Sequence, residues 1–177
     1  MNIREMFRVI REDLSVHERD WTRPGFRAVA VHRFGNWRMT IRPKLLRAPF
    51  SVLYRMAYRH CRNVYGIELP YTVVLGRRVI FEHQGGIVIH GATHIGDGCI
   101  IRQNCTLGLR RLDRLADAPV LEANVNVGAG AVILGAVHIG VGAQIGANAV
   151  VITDVPAGAR AVGVPARISL PEPPAAV

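Results

Sequence analysis

The first third of the chain carries apolar residues at the spacing of an α-helix. The apolar positions lie three or four residues apart, at Ile3, Met6, Phe7, Ile10 and Leu14. Residues at this spacing fall on one face of a helix, so the pattern predicts an amphipathic helix that packs against another element.

Two more helices are predicted before residue 66. The first pattern breaks near Thr22, which is placed to cap a second helix. Apolar residues then run through 26–39 and again through about 45–65, where Pro49 offers a later start for the third helix. We interpret residues 1–66 as an α-helical N-terminal region.

From about residue 70 the hydrophobic period becomes six, and glycine often follows the aliphatic residue. A unit of six residues can form one short strand and one turn, with the aliphatic side chain pointing inward. No single unit can bury that side chain, so only a wound stack of units is stable. The pattern therefore predicts a parallel β-helix of hexapeptide repeats. Its aliphatic positions are Ile89, Ile95, Ile101 and Leu107, then Leu121, Val127, Ile133, Ile139, Ile145 and Val151, with Leu75, Phe81 and Ile87 in a frame offset by two residues.

The repeat is interrupted by a charged segment between Leu107 and Leu121. We expect residues 109–120 to protrude as a loop, either as a functional element or as a tolerated surface insertion. The β-helix is predicted over 67–168, and the proline-rich residues 169–177 are expected to be a disordered tail.

Composition and charge narrow the class of protein. The 177 residues suit one domain, and the net charge is +9. All of the excess lies in residues 1–63, which hold 14 Lys/Arg and 5 Asp/Glu, whereas residues 64–177 hold 8 of each. A basic face can attract polyanions, but without a nucleic-acid motif we favour a solvated helical surface and expect no nucleic-acid partner.

No membrane partner is expected either. Residues 123–153 contain no formal charge and are long enough to span a bilayer, yet they carry six glycines and keep the period of six. The N-terminus shows no apolar signal segment, and the three cysteines lack a disulfide or zinc spacing. A cytoplasmic location is therefore expected.

Several segments together resemble a known family. EHQGGIVI, RQNCTLG, VGAGAVILG, IGANAVV and AVGVPARI are similar to segments of the bacterial serine O-acetyltransferases, which belong to the left-handed β-helix acyltransferases. The resemblance runs from about Asp13 to Ile168. It implies the left hand of the coil, which the period of six does not show.

The resemblance also implies roles for single residues. The family's catalytic histidine follows an acidic residue, and here that pair is His83 and Glu82. A carboxylate fifteen positions earlier orients the histidine in the family, which places Glu68 in that role. The family has aspartate where this chain has Glu68 and Glu82, and its acceptor-binding aspartate matches Asp20. No metal ligand is implied.

In the interrupting loop the chain departs from the family. The family's Arg-His-Pro, whose arginine takes the serine carboxylate, is matched by Asp117-Ala118-Pro119. Arg110, Arg111 and Arg114 lie in the same loop and are candidates to replace the missing arginine. Alternatively, the acceptor is not free serine.

The resemblance further implies a groove for coenzyme A along adjacent coils. Small residues let a ligand approach the backbone. For each residue separately a tight turn is the better explanation, whereas the row as a whole favours the groove. Arg167 is the implied partner of the nucleotide phosphate. The implied groove residues are Gly108, Gly128, Ala129, Gly130, Gly146 and Ala147.

The resemblance implies an acetyl-CoA-dependent acetyltransferase, with serine as first choice of acceptor, direct transfer, and His83 as general base. We expect a homotrimer, or a dimer of trimers, with the site between subunits and no bound cofactor. Three alternatives stay open. They are transfer to a sugar hydroxyl or an amine or hydrazine nitrogen, a zinc lyase of the γ-carbonic anhydrase type using His90, His94 and His138, and a non-enzymatic scaffold.

Overall fold

A computed structural model describes residues 2–170, so positions 171–177 of the predicted tail lie outside the described residues. Three helices come first: α1 Ile3–Val16, α2 Pro24–Arg38 and α3 Lys44–Tyr65. Fifteen short strands follow: β1 Ile67–Glu68, β2 Val74–Leu75, β3 Ile80–Phe81, β4 Ile87–Ile89, β5 His94–Ile95, β6 Ile100–Ile101, β7 Thr106–Gly108, β8 Val120–Leu121, β9 Asn126–Val127, β10 Val132–Leu134, β11 His138–Ile139, β12 Gln144–Ile145, β13 Val150–Val151, β14 Arg160–Val162 and β15 Arg167–Ser169.

The ends of the helices follow from local chemistry and differ in two places from the sequence-based expectation. Thr22 does not cap α2; the residue before that helix is Arg23, and Pro24 opens the first turn. The third helix begins at Lys44, so the proposal that Pro49 marks its start is wrong. Gly66 ends this helix in the left-handed conformation, with a φ of 64°.

The strands form three sheets because the chain turns after each strand and pairs with the coil before it. Sheet A has the order β1-β4-β7-β10-β13, sheet B has β2-β5-β8-β11, and sheet C has β3-β6-β9-β12-β14-β15. Every pair is parallel except β14 with β15, which is antiparallel. The predicted parallel β-helix after a helical region is confirmed.

The interior of the coil is filled by the aliphatic residues of the six-residue period. Ile89, Ile101 and Leu107 are between 0 and 1% exposed, because each points inward and stacks on its equivalent in the next coil. Burying each such side chain stabilises the fold by about 1.5–3 kcal/mol. Cys99 and Cys105 are buried in the same core, and burial raises the pKa of the Cys99 thiol to about 11. These thiols therefore pack rather than react.

One corner of the coil is longer than the others. Phe81 pairs with Ile101, and Ile89 pairs with Leu107. The chain therefore takes eight residues to pass from Phe81 to Ile89, where the next coil takes six over the same corner. This insertion of two residues explains why the aliphatic positions before it follow the six-residue step in a frame offset by two. His83 lies in the insertion and adopts a positive φ of 66°.

The interrupting segment leaves the coil between β7 and β8. Residues 110–116 are exposed, whereas Ala118 and Pro119 are buried and anchor the return of the chain to sheet B. At the other end of the coil, β15 includes Ser169, the first residue of the predicted tail. Within residues 2–170, no helix is both long enough and apolar enough to cross a membrane.

A buried ion pair joins the helices to the first coil. Asp13 of α1 is fully buried, and its Oδ2 accepts a hydrogen bond from Nε of Arg33 in α2 at 2.9 Å. The same guanidinium donates to the carbonyl oxygens of Leu75 and Gly76, and the Arg78 N–H donates to Asp13 Oδ1 at 3.1 Å. These bonds link two helices to the turn after β2.

Breaking this pair should weaken the whole fold. Replacing Arg33 by Met leaves the Asp13 carboxylate buried without its counter-ion, so we expect a loss of about 3–5 kcal/mol in unfolding free energy. Urea titration followed by circular dichroism measures it. The matched control is Arg8→Met, which removes an exposed partner of Glu5 at 3.9 Å and should change stability by less than about 0.5 kcal/mol. Equal losses would show that the buried pair has no special role.

Candidate active site

His83 opens into a cavity of about 580 Å³ between the helical region and the first coils. One wall is the segment Phe81–Gln84, and Gln103 of the next coil lies beside it. The opposite wall belongs to the turn before α2 and to its first residues. That wall consists of Glu18, Arg23, Pro24 and Gly25.

Glycine at position 25 brings the two walls together. A Cβ on Gly25 would lie 2.0 Å from the carbonyl oxygen of Phe81, so only glycine lets the start of α2 approach β3 this closely. The approach fixes the backbone immediately before Glu82 and His83. The helical region therefore closes one side of the corner that carries the histidine.

The His83 ring is exposed and makes no hydrogen bond to any residue in 2–170. Glu68, its predicted orienting partner, lies on β1 and pairs in register with Val88. The Glu68 carboxylate accepts a hydrogen bond from Tyr58 Oη at 3.2 Å, and this single chain forms no direct Glu68–His83 bond within the described residues. Burial, followed by the charge of Glu68, raises the pKa of Tyr58 above its usual range. The orienting role of Glu68 thus stays a prediction.

Glu82 is paired with an arginine that the sequence reasoning missed. Its Oε2 lies 2.9 Å from Nε of Arg102 in the next coil, and Arg102 also donates to Asn126 Oδ1. A signal for this arginine exists in the sequence. Arg102 follows the inward-facing Ile101 as Glu82 follows Phe81, and it is twenty residues after Glu82, the length of that coil.

Asp20, predicted to bind the acceptor, stabilises the turn between α1 and α2. Its Oδ1 accepts hydrogen bonds from the hydroxyl and the backbone N–H of Thr22, at 2.5 and 2.8 Å. These bonds lower the pKa of the Asp20 carboxyl. Asp20 is not among the residues that line the His83 cavity; the nearby Glu18 and Arg23 do line it and form an ion pair with each other.

The corner that holds His83 recurs in the coils below it, with smaller residues. Sheet C pairs Phe81 with Ile101, Ile101 with Val127, and Val127 with Ile145. Below the second coil the side chains at this corner are small, so little more than the backbone lines its surface. The residues two positions after each paired residue are His83, Gln103, Ala129 and Ala147.

A second cavity of about 250 Å³ continues along this corner. Arg102 forms one end of it, next to Glu82, and Arg160 of β14 forms the other, where its Nε donates to Gln144 Oε1 at 3.2 Å. Gly128 and Gly146 of the predicted groove line the cavity between these arginines. Arg160 was not predicted from the sequence. Glu82 lines the first cavity and Arg102 lines the second, so their ion pair makes the two cavities neighbours along one face.

The glycines of the predicted groove differ in the structural reason that requires glycine at each position. A Cβ on Gly128 would lie 2.6 Å from the backbone nitrogen of Ala147, and Gly130 has a φ of 74°, so the coil itself requires both. Gly146 would meet the side chain of Val162 at 2.8 Å. Gly108 is different: it ends β7 in sheet A, and its Cβ would make only ordinary contacts at 3.7 Å.

The remaining predicted residues do not line the His83 cavity. Arg167 is exposed on β15 at the last coil. Arg110 and Arg111 lie in the protruding loop, which borders a separate cavity of about 450 Å³ together with Arg114. Two of these arginines already have acidic partners in the loop. Arg111 pairs with Asp113 at 2.9 Å and Arg114 with Asp117 at 3.6 Å.

Within residues 2–170, no group of three or more His, Cys, Asp or Glu side chains is placed to hold a metal ion. His94 and His138 point outward from sheet B, both in register with Val120, which lies on the strand between them. His90 Nδ1 instead accepts a hydrogen bond from the N–H of Ala92 at 3.3 Å.

Comparison with known proteins identifies the class and the family. No family model matches the chain. A solved structure of Neisseria gonorrhoeae serine acetyltransferase in complex with serine superposes with a TM-score of 0.77 at 27% identity, over 94% of this chain and 70% of the other. The three-sheet coil with its helical cap therefore belongs to the left-handed β-helix transferases.

Two curated relatives, both named serine acetyltransferase, give the family. The protein from Helicobacter pylori strain J99 is 34% identical over 164 residues, which are 90% of this chain and 91% of that relative. The protein from Synechococcus elongatus is 36% identical over 145 residues, but the match spans only 57% of its length. The chain belongs to the serine acetyltransferase family.

Two glycine substitutions should distinguish a glycine that the coil needs for its packing from one that it does not need. Gly128→Ala forces a Cβ against the backbone of the next coil, so we expect it to lower the unfolding free energy by about 1–3 kcal/mol. Gly108→Ala, the matched control, meets nothing closer than 3.7 Å and should melt like the parent chain. Thermal unfolding followed by circular dichroism tests both. Equal stability of the two variants would contradict the close approach at Gly128.

Proposed function

We propose that this chain is an acetyl-CoA-dependent serine O-acetyltransferase in which His83 is the general base and transfer is direct. The observation that carries the proposal is the corner of the coil. A histidine on a two-residue insertion opens into a cavity at one end, and small residues continue the same corner below it. Membership in the serine acetyltransferase family supports the same activity.

The chemistry requires a base beside the acceptor hydroxyl. Neutral imidazole has a pKa near about 6.5 and can take the hydroxyl proton as the oxygen attacks the thioester carbonyl. The proton then passes to the departing thiolate of coenzyme A, so no covalent enzyme intermediate is needed. Such a base typically contributes about 10²–10⁴ in rate.

Glu68 is proposed to orient the base. A carboxylate on the second ring nitrogen fixes the tautomer and stabilises the imidazolium. Tyr58 holds the Glu68 carboxylate through its hydroxyl, which limits the motion of that side chain. Tyr58 lies about two turns before the end of α3, and Glu68 ends β1. The backbone between them bonds to the His83 corner, where the Gly85 N–H donates to the carbonyl of Tyr65 at 2.8 Å.

The acceptor is proposed to be held by charge. Glu82 lines the His83 cavity and is suited to the ammonium group of serine. Asp20 and the loop arginines do not line that cavity in the single chain, so their roles at the ammonium group and the carboxylate stay predictions. Arg110 is the best placed donor, because Arg111 is engaged by Asp113 whereas Arg110 has no acidic partner within residues 2–170.

The donor is proposed to lie along the corner below His83. Neighbouring coils are about 4.8 Å apart, so the corner from His83 to Ala147 spans roughly 14 Å over three steps. Gly128 and Gly146 keep this stretch free of side chains, and Arg160 and Arg167 at its far end suit the phosphates of coenzyme A. No cofactor beyond this co-substrate is proposed.

A homotrimer is proposed as the active assembly. The outward positions from β4 to β13 of sheet A carry a row of β-branched residues, which suits contact with another subunit better than with water. His83 lies at the edge of that face, so a neighbouring subunit would complete the open site. The row consists of Val88, Thr106, Val132 and Val150. Association of two trimers and a cytoplasmic location stay predictions.

A second candidate is transfer to another acceptor, such as a sugar hydroxyl or an amine nitrogen. One observation favours it. Asp117 and Ala118 stand where the family has arginine and histidine, and Ala118 is buried, with 5% of its surface exposed, so it presents no functional group to a ligand.

Removing the base should abolish most of the activity. With acetyl-CoA and serine, His83→Ala should lower kcat by at least ~10²-fold while the fold is kept. His94→Ala is the matched control, because His94 is exposed on the outer face of another sheet. Thiol release measures both rates. A rate for His83→Ala near that of the parent chain would remove His83 from the mechanism.

A single loop substitution should report on the acceptor. Asp117→Arg restores the family's guanidinium and should raise kcat/KM for serine about 10-fold through a charged hydrogen bond to the carboxylate. Asp113→Arg makes the same change of charge elsewhere in the loop and should have little effect. An unchanged kcat/KM for Asp117→Arg would show that the loop match is wrong, and activity on a sugar or amine would then identify the acceptor.

A further inference from the structure

Helix α3 exposes an unusual amount of apolar surface. Leu45 is 89% exposed and Met56 is 64% exposed, although both are large aliphatic side chains. Exposed apolar side chains that cluster, rather than scatter, mark a surface that contacts something else. The exposed large apolar residues of this helix are Leu45, Leu46, Val52, Leu53, Met56 and Val64.

These residues form one stripe along the helix. Val52 follows Leu45 by seven positions and Met56 follows Val52 by four. Leu53 likewise follows Leu46 by seven, and Val64 follows Leu53 by eleven. With 3.6 residues per turn, such spacings return to nearly the same side of a helix. The buried Tyr54 and Cys61 lie on the opposite side, against the rest of the fold.

A row of positive charge follows one edge of the stripe. The helix contains no acidic residue, and residues 21–67 as a whole contain none. The basic side chains are exposed, and no acidic side chain of the same helix offsets their charge. The row consists of Lys44, Arg55, Arg59 and Arg62.

The charge decides between two occupants of this face. A second copy that docked through the same face of α3 would bring another uncompensated basic row against the first, which is unfavourable. A bilayer with anionic headgroups complements both features, because the headgroups attract Lys and Arg while the apolar stripe enters the boundary between headgroups and acyl chains. We propose that the outer face of α3 binds the surface of an anionic phospholipid membrane.

The helix would lie along the membrane and not cross it. Its 22 residues span roughly 33 Å, and the stripe covers nearly all of that length. This differs from the sequence-based expectation of no membrane partner. That expectation weighed a spanning segment at residues 123–153, which instead form strands of the coil.

Vesicle co-sedimentation of the full chain tests the proposal. Vesicles of phosphatidylcholine mixed with phosphatidylglycerol should bind the chain, and vesicles of phosphatidylcholine alone should bind it at least ~10-fold more weakly. Replacing Arg55, Arg59 and Arg62 by Gln should weaken binding to the mixed vesicles about 100-fold. The matched control replaces Arg4, Arg8 and Arg11 of α1 by Gln, which removes the same charge from another exposed helix.

The apolar stripe is tested separately. Leu53→Asn combined with Met56→Gln should weaken binding at least ~10-fold. Val74→Asn combined with Val141→Asn, at exposed positions of the coil, should not. Circular dichroism confirms folding, and analytical ultracentrifugation without vesicles compares the assemblies.

Three results would overturn the proposal. One is an absence of binding to the mixed vesicles, and another is equal weakening by the α1 and α3 charge variants. The third is a change in assembly caused by the Leu53 and Met56 substitutions, since that would identify the face as a contact between copies of the chain. Acetyl transfer in solution is measured alongside, and its loss or retention bears on the function of His83 and not on this face.

Discussion

The pairing of each coil with the one above it is the constraint on which this molecule depends. Two- and three-residue strands are too short to be stable alone, so each gains its partners only from the neighbouring coils. The inward aliphatic residue of each unit stacks on its equivalent, and the polar backbone is satisfied between coils. Any residue at a given corner is thereby held at a fixed height above the same corner of the next coil.

The candidate site is a local departure from that regularity. The two residues inserted between Phe81 and Ile89 push the chain outward, and the start of α2 closes on it across Gly25. The buried pair of Asp13 and Arg33 holds the helices against the first coil. The regular coils then carry a straight row of small residues, which is the proposed track for the donor. The irregular corner positions His83, the proposed base, and the regular coils provide the row beside it.

Much of the fold could be predicted because its signal is periodic. The six-residue step identified the inward residues, and even the frame offset at Leu75, Phe81 and Ile87 had a structural cause, the long corner. The site could be predicted less fully. Arg102 and Arg160 act through contacts between coils, which the period of the inward residues does not show by itself; Arg102 is found only when the length of one coil is added to the position of Glu82. The buried role of Asp13 depends on a helix packing angle, which a local pattern does not encode.

The long corner also shows why this architecture tolerates insertions at its corners but not within its strands. An extra pair of residues at a vertex is absorbed there, since the following strand resumes its register and every layer beyond it is undisturbed. An extra residue within a strand would instead turn inward groups outward throughout the layer. New functional side chains can therefore be added at one corner of the coil at a time, while the packed interior stays unchanged.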